Sequence, residues 1–386
     1  MPNPKPRGSF NSAEALPVRP AEITADWLSK ALGRPIKAVT IVGEIHGTAS
    51  KILLEIKEEE SEPTAGGGGA PPPETPHHQR ICLKGGFNPE LVAIHPGLNA
   101  TYRREAEFYY HVAPLVEMRL PRAWYCGSDA VSGQGLVAMA DLSAEGCTFG
   151  TPLAAWPAAR VRAGVEQLAA LHAATWGATP ARFPWLAGDN SSSALGESPN
   201  PLRGMILALL SPAAWAVRFD APGARPPVPE ASGLADRARL EAAFRKLWRT
   251  TDPRFACVIH GDAHVGNTYV TAAGEPGFVD WQGLHIGSPF HDVSYFVIGA
   301  LDVEDRRRNE LALFDHYLAA LAAKGGPELR RDEVWDEYRK HVLHGIAWAL
   351  SAPQMQPNDV VFAMVRRHVA AVEDHGSLAL LESLPE

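Results

Sequence analysis

Short apolar runs broken by charged residues occupy the first third of the chain, and long Ala- and Leu-rich stretches with helical spacing occupy the rest. Runs at residues 38–42, 51–57, 80–84 and 136–142 read as strands. Helical patterns interrupt them at 23–32, where Thr24 is placed to cap the first turn, and at 99–112. Beyond residue 140 helices are expected at 158–176, 234–250, 303–323, 333–351 and 360–381. The stretch 179–232 is dense in Pro and Gly and carries no assigned element. The pattern predicts an α+β chain. A loose Pro-rich arm (1–22) leads into a small strand-rich N-terminal lobe (23–140), and a larger helical C-terminal lobe follows (141–386). The segment at about 58–79, with its GGGG and PPP runs between acidic residues, holds too little apolar surface to fold and is expected to be a disordered loop.

Composition narrows the class without naming it. With 386 residues, 46% hydrophobic and 21% charged, the chain can bury a substantial core. A formal charge of -8 argues against a nucleic-acid partner, since such binding draws on Lys and Arg. Cys82, Cys126, Cys147 and Cys257 are scattered, so neither a disulfide framework nor a Cys-based zinc site is indicated. The N-terminus lacks the apolar core of a signal peptide, and no apolar run approaches the roughly 18 residues of a membrane span. The expected location is cytoplasmic; the sequence sets no oligomeric state.

The densest chemistry lies in VIHGDAHVGN, residues 258–267. Three readings compete for it: a tight turn over the core, a metal nest of His260, Asp262 and His264, or the catalytic loop of a phosphotransferase. Residues 268–271 and 277–281 flank a turn-like AAGEP and read as a hairpin. If Thr271 faces Gly277, Asp280 falls opposite Thr268 and beside Asn267. An Asn oxygen and a carboxylate are suitable hard ligands for Mg²⁺.

Asp262-x-x-x-x-Asn267, followed eighteen positions after the Asp by Asp280, resembles the protein-kinase catalytic loop and metal-binding Asp. The form HGD-x-H-x-GN, with Gly261 where many protein kinases carry Arg, resembles the aminoglycoside-phosphotransferase and choline-kinase-like small-molecule kinases. VDWQ (279–282) and SPFHDVSYF (288–296) extend the match, and Gln282 is similar to the ecdysteroid-kinase-like (CHK-like) branch. The resemblance implies a two-lobed protein-kinase-like fold that uses ATP and Mg²⁺. It implies Asp262 as the catalytic base, Asn267 and Asp280 as metal ligands, and His260 and Asp292 as braces of the loop.

A kinase also needs a strand Lys on the nucleotide phosphates, oriented by a helix Glu. Lys84 ends an apolar strand, and Glu105 lies in an apolar helix stripe with Leu98, Tyr102, Tyr109 and Val112, where an acid must find a partner. Glu107 falls on the other side. Residues 42–56 hold Thr48 and Ser50 where a phosphate-covering loop would lie, and a plain hairpin turn fits them equally. LVAMADLS resembles the family hinge, so adenine would be read by backbone groups around Met139 to Asp141. The expected partner is a small-molecule hydroxyl acceptor such as a lipophilic alcohol, a sterol or a hydroxyacyl thioester. An aminoglycoside or other antibiotic is the alternative acceptor. A metal-dependent hydrolase and a pseudokinase-like binding module are the readings from other classes. Trp185, Trp215, Phe219 and Trp348 are candidates for an apolar acceptor wall.

Overall fold

The computed structural model describes residues 1–59, 78–187 and 201–385. Most of the predicted disordered segment, residues 60–77, lies outside the described residues. The chain divides into two compact units: Met1–Leu115 with Leu120–Cys147, and Val116–Arg119 with everything from Thr148 onward.

The first unit is built on a six-stranded sheet. Its strands are β1 (Arg7–Ser12), β2 (Ile36–Ile45), β3 (Ser50–Glu58), β4 (His78–Gly85), β5 (Ala123–Asp129) and β6 (Gly135–Ala140), in the order β1-β5-β6-β4-β3-β2. Neighbours are antiparallel except β1, which runs parallel to β5. On β3 the alternation is clean: Ile52, Leu54 and Ile56 are fully buried while their neighbours reach solvent. They pack with Ile81 and Leu83 of β4 and with Leu28 of α1 (Ala25–Leu32). Thr24 caps α1, accepting from the Trp27 amide at 3.1 Å. After α2 (Pro89–Ile94), α3 (Leu98–Glu107) lies on β6 and β5 and runs on through a wide π-type turn, Phe108–Val112.

The expected loose arm is a correction. Residues 7–12 are β1, registered Arg7 to Tyr125, Gly8 to Cys126 and Ser9 to Gly127. Farther along, the Leu16 amide donates to Asp129 Oδ2 at 3.0 Å, and Gln134 Nε2 donates to Pro17 O at 2.9 Å. Backbone pairing and buried polar anchors therefore hold a stretch whose composition suggested disorder. The unit also extends past residue 140, to Cys147, because the turn after β6 is tied to Asp141.

The second unit carries two small sheets and the remaining helices. Strands β7 (Thr148–Phe149), β9 (Thr268–Val270) and β10 (Pro276–Phe278) form one sheet in the order β10-β9-β7, and β8 (Cys257–Ile259) pairs with β11 (His285–Gly287) in the other. Helices α4 (Ala158–Thr175), α5 (Pro184–Ala187), α6 (Pro201–Leu209), α7 (Pro212–Trp215) and α8 (Arg237–Thr250) precede the catalytic-loop sequence. After it come α9 (Pro289–Ala300), α10 (Val303–Ala323), α11 (Arg331–His341), α12 (Ala347–Leu350), α13 (Asn358–His375) and α14 (Ser377–Ser383). Every residue of α9 is buried, so it is the central helix, packed by α4, α10, α11 and α13. The helix expected at 333–351 is divided by a tighter turn, Val342–Ile346, and the one at 360–381 is broken at Gly376. Among the described residues no single helix is long and apolar enough to cross a membrane; the one comparably apolar pair, Leu202–Leu209 and Pro212–Asp220, is bent by 67°.

Candidate active site

The site is assembled where β8 ends. Cys257, Val258 and Ile259 are buried strand residues, and the chain turns sharply at Gly261, whose φ is +80°. A Cβ there would come within 2.2 Å of the Gly283 carbonyl oxygen, so only glycine lets residue 262 emerge beside the returning strand. Asp262 follows with 43% of its side chain exposed, available to a ligand. Asn267 Nδ2 donates to both Asp262 O and Asp262 Oδ2, each at 3.0 Å. These bonds fix the carboxylate through its Oδ2.

Asp280 reaches the same place from the hairpin. The expected register is corrected here: Phe278 pairs with Thr268 and Pro276 with Val270, two residues tighter than a five-residue loop allows. The cause is Gly274, which at φ +83° closes a three-residue turn with Gly274 N to Thr271 O at 2.8 Å and Thr271 N to Glu275 O at 2.9 Å. Val279 N still donates to Asn267 O at 2.9 Å, so Asp280 follows directly after the residue bonded to Asn267. Asp280 adopts φ 68° and ψ 67°, and besides Asn11 it is the only non-glycine residue at positive φ among the described residues. Such a conformation costs about 1–3 kcal/mol and persists where surrounding structure imposes it.

His260 and Asp292 hold this loop. His260 is fully buried; its Nδ1 accepts from the Asp262 amide at 3.3 Å and its Nε2 lies 3.0 Å from Val279 O. Only the Nε2–H tautomer satisfies both, so one neutral ring bridges the Asp262 loop and the strand leading to Asp280. Asp292, near the start of α9, accepts from the His260 amide at 2.7 Å, the Gly261 amide at 2.9 Å and His172 Nε2 at 3.2 Å. Burial alone would raise its pKa; the His172 hydrogen bond and neighbouring histidines outweigh that and bring it down to about 2.

Residues that the sequence reading passed over complete the shell. His172 of α4 stands between Asp292 and the Tyr317 hydroxyl, 2.9 Å from its Nδ1. His291 Nε2 lies 3.1 Å from Gly261 O, and burial pushes the Tyr295 hydroxyl well above its ordinary pKa, with the charge of Asp262 adding to the effect. His264, named in the metal-nest reading, is 12% exposed; its Nδ1 accepts from the Gly266 amide and caps the turn Val265–Asn267. These bonds dismantle the metal-nest reading. Among the described residues no group of three or more His, Cys, Asp or Glu side chains is placed to hold a metal.

In the first unit Lys84 Nζ donates to Glu105 Oε1 at 3.0 Å and lies 2.8 Å from Oε2, with both side chains about 95% buried. The competing Glu107 instead pairs with Arg103 at 3.2 Å. Thr48 lies in the exposed turn 46–49 of the β2–β3 hairpin, and its carbonyl accepts from the Tyr102 hydroxyl at 2.6 Å. Ser50, the first residue of β3, is 2% exposed, and its hydroxyl lies 3.4 Å from His46 Nδ1. Met139 is 6% exposed within the sheet. The Asp141 carboxylate is bound by Arg80 at 3.0 Å and by the amides of Ser143 and Ala144.

Residues 90–341, more than half of the chain, match the family described as the phosphotransferase enzyme family (APH), and the chain belongs to that family. It is therefore a small-molecule phosphotransferase. No curated protein sequence matches it. Among solved structures it is similar to the choline kinase LicA from Streptococcus pneumoniae, with 12% identity, 90% of this chain and 97% of that chain covered, and a TM-score of 0.45. It is similar also to APH(2″)-IIia in its GDP and kanamycin complex, with 14% identity, coverage of 91% and 97%, and a TM-score of 0.47. For Plasmodium vivax ethanolamine kinase the identity is 11%, the coverage 88% and 81%, and the TM-score 0.46.

Proposed function

We propose that the chain transfers the γ-phosphoryl group of ATP to a hydroxyl of a small molecule, with Asp262 as the base. The observation that carries this reading is the carboxylate of Asp262, locked by Asn267 and set beside a left-handed Asp280. Asp262 Oδ1 takes the proton as the acceptor oxygen bonds to phosphorus and the bond to the ADP oxygen breaks. Asn267 and Asp280 suit Mg²⁺: with Nδ2 committed to Asp262, the Asn267 Oδ1 is the atom left for a cation, and a carboxylate is the other hard donor. Bound there, Mg²⁺ would offset negative charge on the phosphates. Within the first unit, Lys84 held by Glu105 is the cation suited to nucleotide phosphates. Adenine is read by backbone around Met139 to Asp141. The acceptor has an apolar body, because residues 179–219 carry only Asp189 and Glu197 of the acids that a polycationic aminoglycoside requires.

The test is calorimetric binding of ATP with and without Mg²⁺, to wild type and to Asp280→Ala. Mg²⁺-dependent binding weakened at least about tenfold by the substitution is expected, the scale of one lost charged contact. ATP binding indifferent to both Mg²⁺ and Asp280 would overturn the reading.

A further inference from the structure

The second unit contains a cavity whose lining has no role in the phosphoryl chemistry above. It measures about 40 Å³ and lies beside β8 and β11. Its polar wall holds Arg203 from α6, the hydroxyl residues Thr251 and Ser288, and four histidines: His285, His291, His341 and His344. Ile206, Leu247 and Trp248 form apolar wall on the same cavity. Among the described residues no Asp or Glu lines it.

Two of these groups point to a ligand. His341 is 5% exposed, and neither of its ring nitrogens has a hydrogen-bond partner. A buried imidazole with both nitrogens unused is a costly arrangement unless something polar enters. Arg203 lies with its guanidinium carbon 5.6 Å from the Trp248 ring centroid, and burial lowers its pKa, so its charge is partly desolvated. The same charge acts on His285, His291 and His341, where it disfavours protonation. The field in the cavity is therefore positive; of the carboxylates that act on its histidines, Asp292 is already bound by two amides and His172, and Asp262 by Asn267.

The cavity also adjoins the catalytic loop. His291 lines it, and the Nε2 of the same ring lies 3.1 Å from the carbonyl of Gly261, the residue before Asp262. The His291 and His344 rings are in contact, 3.9 Å between centroids and tilted by 42°.

We infer that this cavity is an acceptor subsite for a carboxylate, so that the substrate is a hydroxy acid with an apolar body, recognised by Arg203 and His341. This rests on the kinase reading for the hydroxyl and on the cavity alone for the carboxylate. Size selects the anion. At about 10–15 Å³ for each water-sized group, the cavity takes roughly three heavy atoms, which is a carboxylate and not a phosphate. Planar, forked recognition of a carboxylate is what a guanidinium does best.

The experiment is binding of a series of short- to medium-chain hydroxy acids to the full chain by calorimetry, without nucleotide, each acid beside its primary amide and the matching hydroxyalkyl phosphate. Acids of at least one length are expected to bind about tenfold or more tighter than their amides, the scale of a charge-assisted pair. Arg203→Gln should erase that preference and Arg203→Lys should keep part of it, while Asp262→Asn leaves it intact. In turnover, Arg203→Gln should raise KM for the acid with kcat little changed. Amides that bind as tightly as acids on the wild-type protein, or phosphates that bind tighter than either, would overturn the inference, and neither result depends on a variant folding. Carboxylate binding that survives while no acid is phosphorylated would instead remove the kinase reading and leave the subsite standing.

Discussion

Asp292 shows how a single buried charge can set the position of a catalytic loop from outside it. It is fully buried, yet it stays ionised because two amides and His172 surround it with donors. Its pKa, lowered from 3.8 to about 2, corresponds to about 2 kcal/mol of stability. Because the folded value is the lower one, that contribution is present above the unfolded pKa and is lost as pH falls toward 2. Removing the carboxylate is more severe, since two amides and an imidazole lose their acceptor together. Asp292→Ala is expected to lower unfolding free energy by about 3–5 kcal/mol at neutral pH, the cost of breaking a buried charged network. Urea unfolding measures this, and a loss below about 1 kcal/mol would mean that the loop is held by other contacts.

Elements differ in how far the sequence discloses them, and the reason is where their energy comes from. β3 is legible because burial alternates along it, and Glu105 because an acid in an apolar stripe demands a cation. The same rule applies to His172, which is fully buried on α4 with Leu168 and Thr175 one turn to either side. Its partner Asp292 is 120 residues away, a distance that spacing on one helix does not reveal. The Asp262–Asn267–Asp280 set was readable as motif, but the exact hairpin register depended on Gly274 adopting a left-handed turn. β1 has the least signal of all: RGSFNS has no apolar alternation and a mostly exposed surface, and it is fixed by ladder bonds to β5. That difference predicts a result. Deleting residues 2–12 strips the outer strand from β5 and leaves an unpaired edge. Three or four lost backbone bonds at about 1 kcal/mol each should cost the first unit about 3 kcal/mol. Differential scanning calorimetry should show its transition shifted down by several degrees, and an unshifted transition would mean that β1 is dispensable.

For the molecule as a whole, the dominant electrostatic feature is histidine kept neutral inside the second unit. His341, His344 and His368 are at most 5% exposed. Burial lowers all three pKa values: His368 to about 3 with help from Arg367, His264 and Arg306, His341 well below the ordinary value with help from His291, Lys340 and Arg203, and His344 likewise with help from neighbouring histidines. The unfolded chain takes up these protons near pH 6.5, whereas the folded chain refuses them until far lower pH. Stability contributed by the neutral rings is therefore complete above about pH 6.5 and is lost as pH falls from there toward the folded values. Each group removes about 1.4 kcal/mol per pH unit in that window, so three together remove about 4 kcal/mol between pH 7.5 and 5.5. Against the 5–15 kcal/mol that typically separates folded from unfolded domains, that is a large share. Carboxylates do not begin to act until roughly two pH units lower, which makes the window diagnostic. Urea midpoints measured at pH 7.5, 6.5 and 5.5 should fall steeply below 6.5, and His368→Gln should remove one group's share of the fall, about 1.4 kcal/mol. A midpoint unchanged down to pH 5.5 would mean that these imidazoles are hydrated, and the cavity that His341 and His344 line would then be open to bulk water rather than shaped for a carboxylate.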